Sequence, residues 1–109
     1  MDLGSFSISL GVKDIGASLT FYQNLGCEIL DGRAEDRCLM LKNGDAKIGL
    51  FQGMFEGNVL TFNPADVGSI QKHLEDQGVA LLSRAKGESD PAAITLEDPD
   101  RNHILMNQF

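Results

Sequence analysis

The feature that most restricts the fold of this chain is a pattern written twice, at residues 14–30 and again at residues 66–82. Each copy begins with an Asp, an apolar residue and a Gly, and it ends with a second Gly followed by a pair of apolar residues. An offset of 52 residues matches Asp14 with Asp66, Ile15 with Val67, Gly16 with Gly68, Gly26 with Gly78, Ile29 with Leu81 and Leu30 with Leu82. An Asp caps a helix start and a Gly with positive φ ends a helix, so each copy predicts a capped helix followed by a strand. Two copies of about 50 residues are too few for a repeat array, so the repeat predicts one domain of paired modules.

The first module is predicted to span residues 5–52 and to read strand, helix and three strands. Residues 6–12 alternate between apolar and small polar side chains, which indicates a half-buried strand. The helix is expected near 14–25, with Phe21 and Leu25 widening its apolar stripe. Asn43-Gly44 lies between two apolar runs and predicts a hairpin. The remaining strands are predicted at 27–30, 37–42 and 46–52.

The second module is predicted to span residues 58–109 after a linker at 53–57, where two glycines bracket Met54, Phe55 and an acidic residue. Its helix is expected near 66–77. A loop of polar residues is predicted between the third and fourth elements, and the DPDRN sequence at 98–102 is turn chemistry. The strands are predicted at 59–63, 79–83, 93–97 and 103–108.

Composition limits the function classes. The 109 residues carry 9 basic and 16 acidic side chains, a net charge of −7 that repels phosphate backbones and anionic lipid. Nucleic-acid and membrane partners are therefore not expected, and no apolar run approaches the roughly 20 residues of a membrane span. Cys27 and Cys38 lie in or beside apolar runs and are predicted to be reduced, buried residues. With no signal-peptide pattern at the start, we expect a cytoplasmic protein.

Two stretches, VKDIGASLTFYQNLG after the first strand and DPDRNHILM before the last, resemble the vicinal oxygen chelate superfamily. That superfamily includes glyoxalase I, extradiol dioxygenases, fosfomycin-resistance transferases and bleomycin-resistance proteins, and the resemblance covers the whole chain. It implies an α+β fold of two βαβββ modules that form a curled, cup-shaped mixed β-sheet, with helices on the convex side and a ligand in the cup. It also implies a homodimer.

The resemblance implies where a divalent metal would be held, and the residues there argue against one. The metal-ligand positions fall on Ser7, Val59 and Leu105. A hydroxyl and two aliphatic side chains lack the imidazole, thiolate or carboxylate donors that such an ion requires. We therefore predict no metal site and no cofactor.

Alternation along the strands assigns the candidate ligand-binding residues to the concave face, away from the helices. Of these, His103 is also a weak candidate for a catalytic base near neutral pH. An alternative interpretation is that the whole face is simply solvated, and that His103 is an exposed residue after a tight turn. The candidate residues are Ser7, Ser9, Val59, Thr61, His103, Leu105 and Asn107.

Three functions follow from this pattern. The sequence favours a binding protein of the glyoxalase/bleomycin-resistance type that sequesters or senses a small cationic or neutral ligand without a metal. The alternative is a glyoxalase-like enzyme, a lyase, isomerase or dioxygenase, that uses His103 as a base or a metal that the sequence does not identify. A third interpretation is a dimerising domain with a vestigial cup.

Overall fold

The structure is a computed structural model that describes residues 1–85 and 92–108, and this part of the chain holds seven strands and two α-helices. It divides into two compact units. The first unit is Ser7–Asn58, and the second combines Met1–Phe6 with the chain from Val59 onward.

The first unit has one α-helix, four strands and a short 3₁₀ helix at Ala34–Asp36. Strand β1 (Ser5–Val12), whose first two residues belong to the second unit, is followed by helix α1 (Ile15–Asn24), β2 (Glu28–Arg33), β3 (Cys38–Asn43) and β4 (Ala46–Gln52). β1 runs parallel to β4, while β3 is antiparallel to both β4 and β2. A two-residue loop, Gly44 and Asp45, joins β3 to β4, so the predicted hairpin is confirmed.

The second unit repeats this plan with one strand fewer. Strand β5 (Asn58–Asn63), whose first residue belongs to the first unit, leads into helix α2 (Val67–Asp76), and β6 (Ala93–Glu97) and β7 (His103–Asn107) follow. β5 runs parallel to β7, and β7 is antiparallel to β6. Parallel and antiparallel pairs occur in both units, which confirms the predicted α+β class and mixed sheet.

Both helices begin where the repeat predicts. The Asp14 side chain accepts a hydrogen bond from the Ala17 backbone N–H at 3.1 Å, and Asp66 accepts one from Ser69 at the same distance. Each carboxylate satisfies an amide that the first turn leaves without a helical partner. The helix positions therefore follow from residues adjacent to them in sequence.

A second contact at each helix start links it to the end of its own unit. The Gln52 Oε1 atom accepts from the Ile15 N–H at 2.9 Å, and the Gln108 Oε1 atom accepts from the Val67 N–H at 2.8 Å. Each glutamine lies at or just after the strand that runs parallel to its unit's first strand. The same long-range cap thus appears in both copies of the repeat.

Each unit has its own apolar core between helix and sheet. The first core consists of Ile15, Cys27, Leu39, Leu41 and Leu50. The second consists of Val67, Ile70, Ile94, Leu96 and Met106.

The apolar stripe of α1 is narrower than predicted. Phe21 and Leu25 are 59% and 61% exposed, and Ile29 and Leu30, which the repeat placed on a buried strand, are 48% and 45% exposed. β2 is the outermost strand of its unit, so its side chains extend past the part of the sheet that α1 covers. The predicted burial of these four residues is wrong.

The predicted strand at 79–83 does not form in the second unit, where an isolated bridge joins Ser83 to Thr95. The chain beyond this point is tied to α2 instead. The Ala85 N–H donates to the Gln71 side chain at 2.7 Å, and the Arg84 guanidinium lies 2.7 Å from a Glu75 carboxylate oxygen. The predicted polar loop that follows lies mostly at residues 86–91, outside the described residues.

Neither α1 nor α2, the helices of the described chain, has the length and apolar character that spanning a membrane requires.

Candidate functional site

Because strand side chains alternate, each unit has a second sheet face opposite its core, which we call the non-core face. In the second unit it carries Val59, Thr61 and Asn63 of β5, His103, Leu105 and Asn107 of β7, and Ala93, Thr95 and Glu97 of β6. In the first unit it carries Ser7, Ser9 and Gly11 of β1, Lys47, Gly49 and Phe51 of β4, and Cys38, Met40 and Lys42 of β3.

Five of the seven predicted site residues lie together on the second unit. Val59 is paired with His103, and Thr61 with Leu105, across β5 and β7. Val59 and Leu105 are half-buried, Thr61 is buried and His103 is exposed. Apolar and polar side chains therefore alternate both along and across β5 and β7 on this face.

Asn107, the fifth predicted residue, contacts Asn63 through its backbone. Its carbonyl oxygen accepts a hydrogen bond from the Asn63 Nδ2 atom at 2.8 Å. At the other border, the hydroxyls of Ser83 and Thr95 share a hydrogen bond of 2.6 Å. These contacts fix polar side chains on both borders of the face.

The residue opposite His103 was not among the predicted site residues. Glu97 on β6 is paired with His103, so a carboxylate and an imidazole are direct cross-strand neighbours on one face. Side chains at directly opposite positions have Cβ atoms about 4.5–5.5 Å apart. The available signal was the short turn at 98–102, because a turn of known length sets the register of the strands it joins.

The turn that sets this register is built around Asp98. Its Oδ1 atom accepts from the backbone N–H groups of Asp100 and Asn102 at 2.9 and 2.8 Å, and its Oδ2 atom accepts from the Asn102 amide at 2.8 Å. The hydrogen bonds from the side chain and backbone of Asn102 hold the pKa of Asp98 below its ordinary value. Arg101 takes a left-handed φ of 67° in the same turn.

The other two predicted residues, Ser7 and Ser9, lie on β1 and are buried, with 3% and 5% of their surface exposed. Ser9 is paired with Gly49 of β4, which is paired in turn with Met40 of β3. None of the predicted site residues lies on β3 or β4, although alternation in the predicted hairpin indicates which of their residues share this face.

An aromatic pair covers part of the first unit's non-core face. A Cβ added at Gly49 would lie 2.7 Å from the Phe51 ring, so this ring packs over the bare backbone of its neighbour. The Phe51 and Phe55 ring centroids are 5.5 Å apart. Phe55 belongs to the linker, whose backbone lies so close to Gly11 that a Cβ there would meet the Phe55 carbonyl oxygen at 2.3 Å.

Phe55 also forms one wall of a cavity of about 670 Å³ at the ends of β1 and β4. This volume falls within the roughly 300–1,000 Å³ of small-molecule pockets. The other lining residues are Gly11, Val12, Lys13, Gln52, Gly53, Glu56 and Gly57.

The two cysteines are free thiols, as predicted: Cys27 is buried and Cys38 is half-buried. Burial, and after it the charges of Asp31 and Asp36, raises the pKa of the Cys38 thiol. A raised pKa reduces the thiolate fraction, so Cys38 lacks the activation of a nucleophilic cysteine.

The residues present do not fit the divalent metal that the resemblance implies. Ser7, Val59 and Leu105 supply no anionic or imidazole donor. Within residues 1–85 and 92–108, no three His, Cys, Asp or Glu side chains are grouped so as to hold a metal ion. No chemistry is therefore assigned here to a metal.

Comparison with known proteins gives a structural match but no sequence match. Neither the sequence profiles of known families nor the curated protein sequences match this chain.

Solved structures match it over nearly its whole length. A glyoxalase/bleomycin resistance protein/dioxygenase superfamily member from Vibrio splendidus 12B01 has a TM-score of 0.73 at 16% identity, covering 95% of this chain and 97% of that one. A methylmalonyl-CoA epimerase from Mycobacterium tuberculosis has a TM-score of 0.74 at 17% identity, covering 95% and 87%. An NAD-dependent benzaldehyde dehydrogenase from Legionella pneumophila has a TM-score of 0.78 at 18% identity, covering 95% and 98%.

Such low identities establish the fold and leave activity open. The resemblance found in the sequence is confirmed at this level: the chain has the fold of the glyoxalase/bleomycin resistance protein/dioxygenase superfamily member and of the methylmalonyl-CoA epimerase.

Proposed function

We propose that this protein binds a small organic molecule on the non-core face of its second unit, without requiring a metal. The observation that carries the proposal is the pairing of Val59 with His103 and of Thr61 with Leu105. Two half-buried apolar side chains thereby lie beside hydrogen-bonding groups. Ligand sites typically combine an apolar surface with a few placed polar groups.

The polar groups on this face indicate the kind of ligand. Glu97 supplies a carboxylate acceptor, and His103 opposite it supplies a ring nitrogen donor or acceptor. A net charge of −7 favours the approach of cations over anions. A neutral or cationic molecule with an apolar body therefore suits this face. Sequestration of a ligand, as in bleomycin-resistance proteins, is proposed by analogy of fold.

The test is a thermal-shift screen of cationic, neutral and anionic aromatic and aliphatic compounds, followed by calorimetry on the compounds that stabilise the protein. A ligand at a hundred times its Kd stabilises the native state by about 2.7 kcal/mol. Leu105→Asn should weaken binding of such a compound at least tenfold. Leu82→Asn is the matched control in the same unit, because Leu82 is 57% exposed and off the proposed site.

Chelator and added zinc or manganese should leave the affinity unchanged. Equal losses in Leu105→Asn and Leu82→Asn would reject the second-unit face, and a metal requirement would reject the metal-independent mechanism.

The pairing of Glu97 with His103 favours a second candidate function, proton transfer at a carbon acid. A carboxylate that hydrogen-bonds an imidazole orients it for general base catalysis. In the structure the two side chains are cross-strand neighbours without an ion pair within 4.0 Å, so catalysis would require them to move into contact. Solved structures with this fold include methylmalonyl-CoA epimerases from Mycobacterium tuberculosis and Streptomyces coelicolor. For this chain the corresponding activity is exchange of a proton α to a thioester.

Deuterium incorporation into methylmalonyl thioesters in D₂O tests this candidate directly. His103→Gln should abolish any exchange, while His73→Gln, on an exposed helical position, should leave it unchanged. Absence of exchange in the wild-type protein, combined with tight ligand binding, would leave the binding function alone.

A further inference from the structure

Two lysines face each other on the non-core face of the first unit. Lys42 of β3 and Lys47 of β4 are directly paired in the antiparallel register, next to the two-residue loop of the hairpin. Like charges at directly opposite positions are destabilising. Placing two ammonium groups there therefore has a cost that a bound anion would offset.

Neither lysine has an ionic partner in the described chain. The ion pairs found there join Arg33 to Glu35 and Arg84 to Glu75. Glu28 is the cross-strand neighbour of Lys42 on β2, yet the two do not approach within 4.0 Å. Lys47 is half-buried and Lys42 is exposed.

The surroundings of the lysine pair are suited to an amphipathic molecule. β1 and β4 are parallel and pair Ile8 with Ile48, so the residues just before these two, Ser7 and Lys47, are also neighbours. Ser7 has 3% of its surface exposed. The next positions along the same face are Met40 and Gly49, and the Phe51 ring lies over the buried backbone of Gly49. Residues two apart on a strand are about 7 Å apart, so the apolar surface begins about 7 Å from the lysines.

We propose that Lys42 and Lys47 bind the carboxylate or phosphate group of a small molecule whose apolar part lies on Met40 and Phe51. The two ammonium groups supply up to six N–H donors to the oxygen atoms of one carboxylate or phosphate group. The site is built from the first unit alone, so it is independent of the function proposed for the second unit. The acidic neighbours of this site on β2 are Glu28, which is paired with Lys42, and Asp31, which is paired with Met40.

The experiment is an NMR titration of ¹⁵N-labelled full-length protein with four probes that share one six-carbon chain: hexanoate, hexyl phosphate, hexanol and hexylamine. The wild-type protein should bind one or both anions more tightly than hexanol, with shifts on β3 and β4. Lys42→Gln and Lys47→Gln should each weaken anion binding about two- to fivefold, the range expected for partly exposed ion pairs. The double variant should bind the anions no better than hexanol.

Lys72→Gln is the matched control, since it removes the same charge from an exposed position on α2. It should leave anion affinity within the error of the wild-type value. Preference for hexanoate over hexyl phosphate, or the reverse, assigns the anionic group. The proposal would be overturned if the double variant bound the anions as tightly as the wild type, or if Lys72→Gln caused an equal loss. It would also be overturned if the wild type bound hexanol or hexylamine as tightly as both anions.

Removing the repulsion supplies thermal stability as a second readout. Each single Lys→Gln variant should have a higher Tm than the wild type in the absence of anion. It should also gain less Tm than the wild type when hexanoate or hexyl phosphate is added. A lysine pair that is merely solvated would show the same anion-induced gain in every variant, which would likewise overturn the proposal.

Discussion

Replacing Gly11 by Ala tests how the linker is held against β1. The added Cβ would lie 2.3 Å from the Phe55 carbonyl oxygen, whereas ordinary contact begins at 3.4 Å, so the linker backbone must move by about 1 Å. The Gly11 N–H also donates to the Gly57 carbonyl at 2.8 Å, and this movement would strain that hydrogen bond. Overpacking of this kind costs about 1–3 kcal/mol. In a domain of about 100 residues, each kcal/mol lowers Tm by roughly 4–8 °C.

Gly16→Ala is the matched control in the same unit. Its Cβ would meet only the Asp14 carboxylate, at an ordinary 3.5 Å, within a helix that favours Ala over Gly. It should therefore stabilise the protein by about 0.4–1 kcal/mol. Calorimetric scans of the two variants at one protein concentration measure both effects. Gly11→Ala with a wild-type Tm would refute the close approach of the linker.

Phe55 and Gly57 line the cavity of about 670 Å³, so Gly11→Ala should also weaken the binding of any ligand found in that cavity.

Three further predictions follow from the core, the turn and the exposed surface. Leu50→Ala, at a fully buried core position, should lower the free energy of unfolding in urea by about 2–5 kcal/mol, whereas Leu82→Ala should change it by less than about 0.5. The pKa of Asp98 is lower in the folded protein than its ordinary value of 3.8, so its carboxylate stabilises the fold above that pH and loses this effect as the pH falls below it. Asp98→Asn should therefore reduce the loss of stability at acid pH when the free energy of unfolding is measured against pH. An unchanged acid dependence would contradict this role. We also expect a homodimer, because Leu25 and Ile29 leave apolar surface exposed on the first unit. Light scattering at micromolar protein concentration that reports a monomer would reject the dimer.

The helices were predictable because their signals are local. Asp14 and Asp66 cap amides within three residues of themselves, and Gly26 and Gly78 take φ values of 95° and 79° directly after the helices. Such geometry depends on neighbouring residues, so an offset of 52 residues was enough to locate both copies. The fold resemblance depended on the same stretches and on the 98–102 turn.

The failed strand at 79–83 shows where a local pattern is insufficient. Its sequence resembles that of β2, but Arg84 and Ala85 are held by Glu75 and Gln71 of α2. These contacts direct the chain away from β6 after the Ser83 bridge. A repeat in sequence cannot reveal a side-chain contact that only one copy makes.

The chemistry on the non-core faces depends on register, and register here is set by two short loops. The loop of Gly44 and Asp45 pairs Asn43 with Ala46, which brings Lys42 opposite Lys47. The turn centred on Asp98 likewise brings Glu97 opposite His103. A shift of one residue in either loop would move these side chains to the core face, where a charge without a partner is strongly disfavoured. The two loops are therefore as necessary to the candidate sites as the side chains themselves, and both were visible in the sequence as turn signals before any pairing was known.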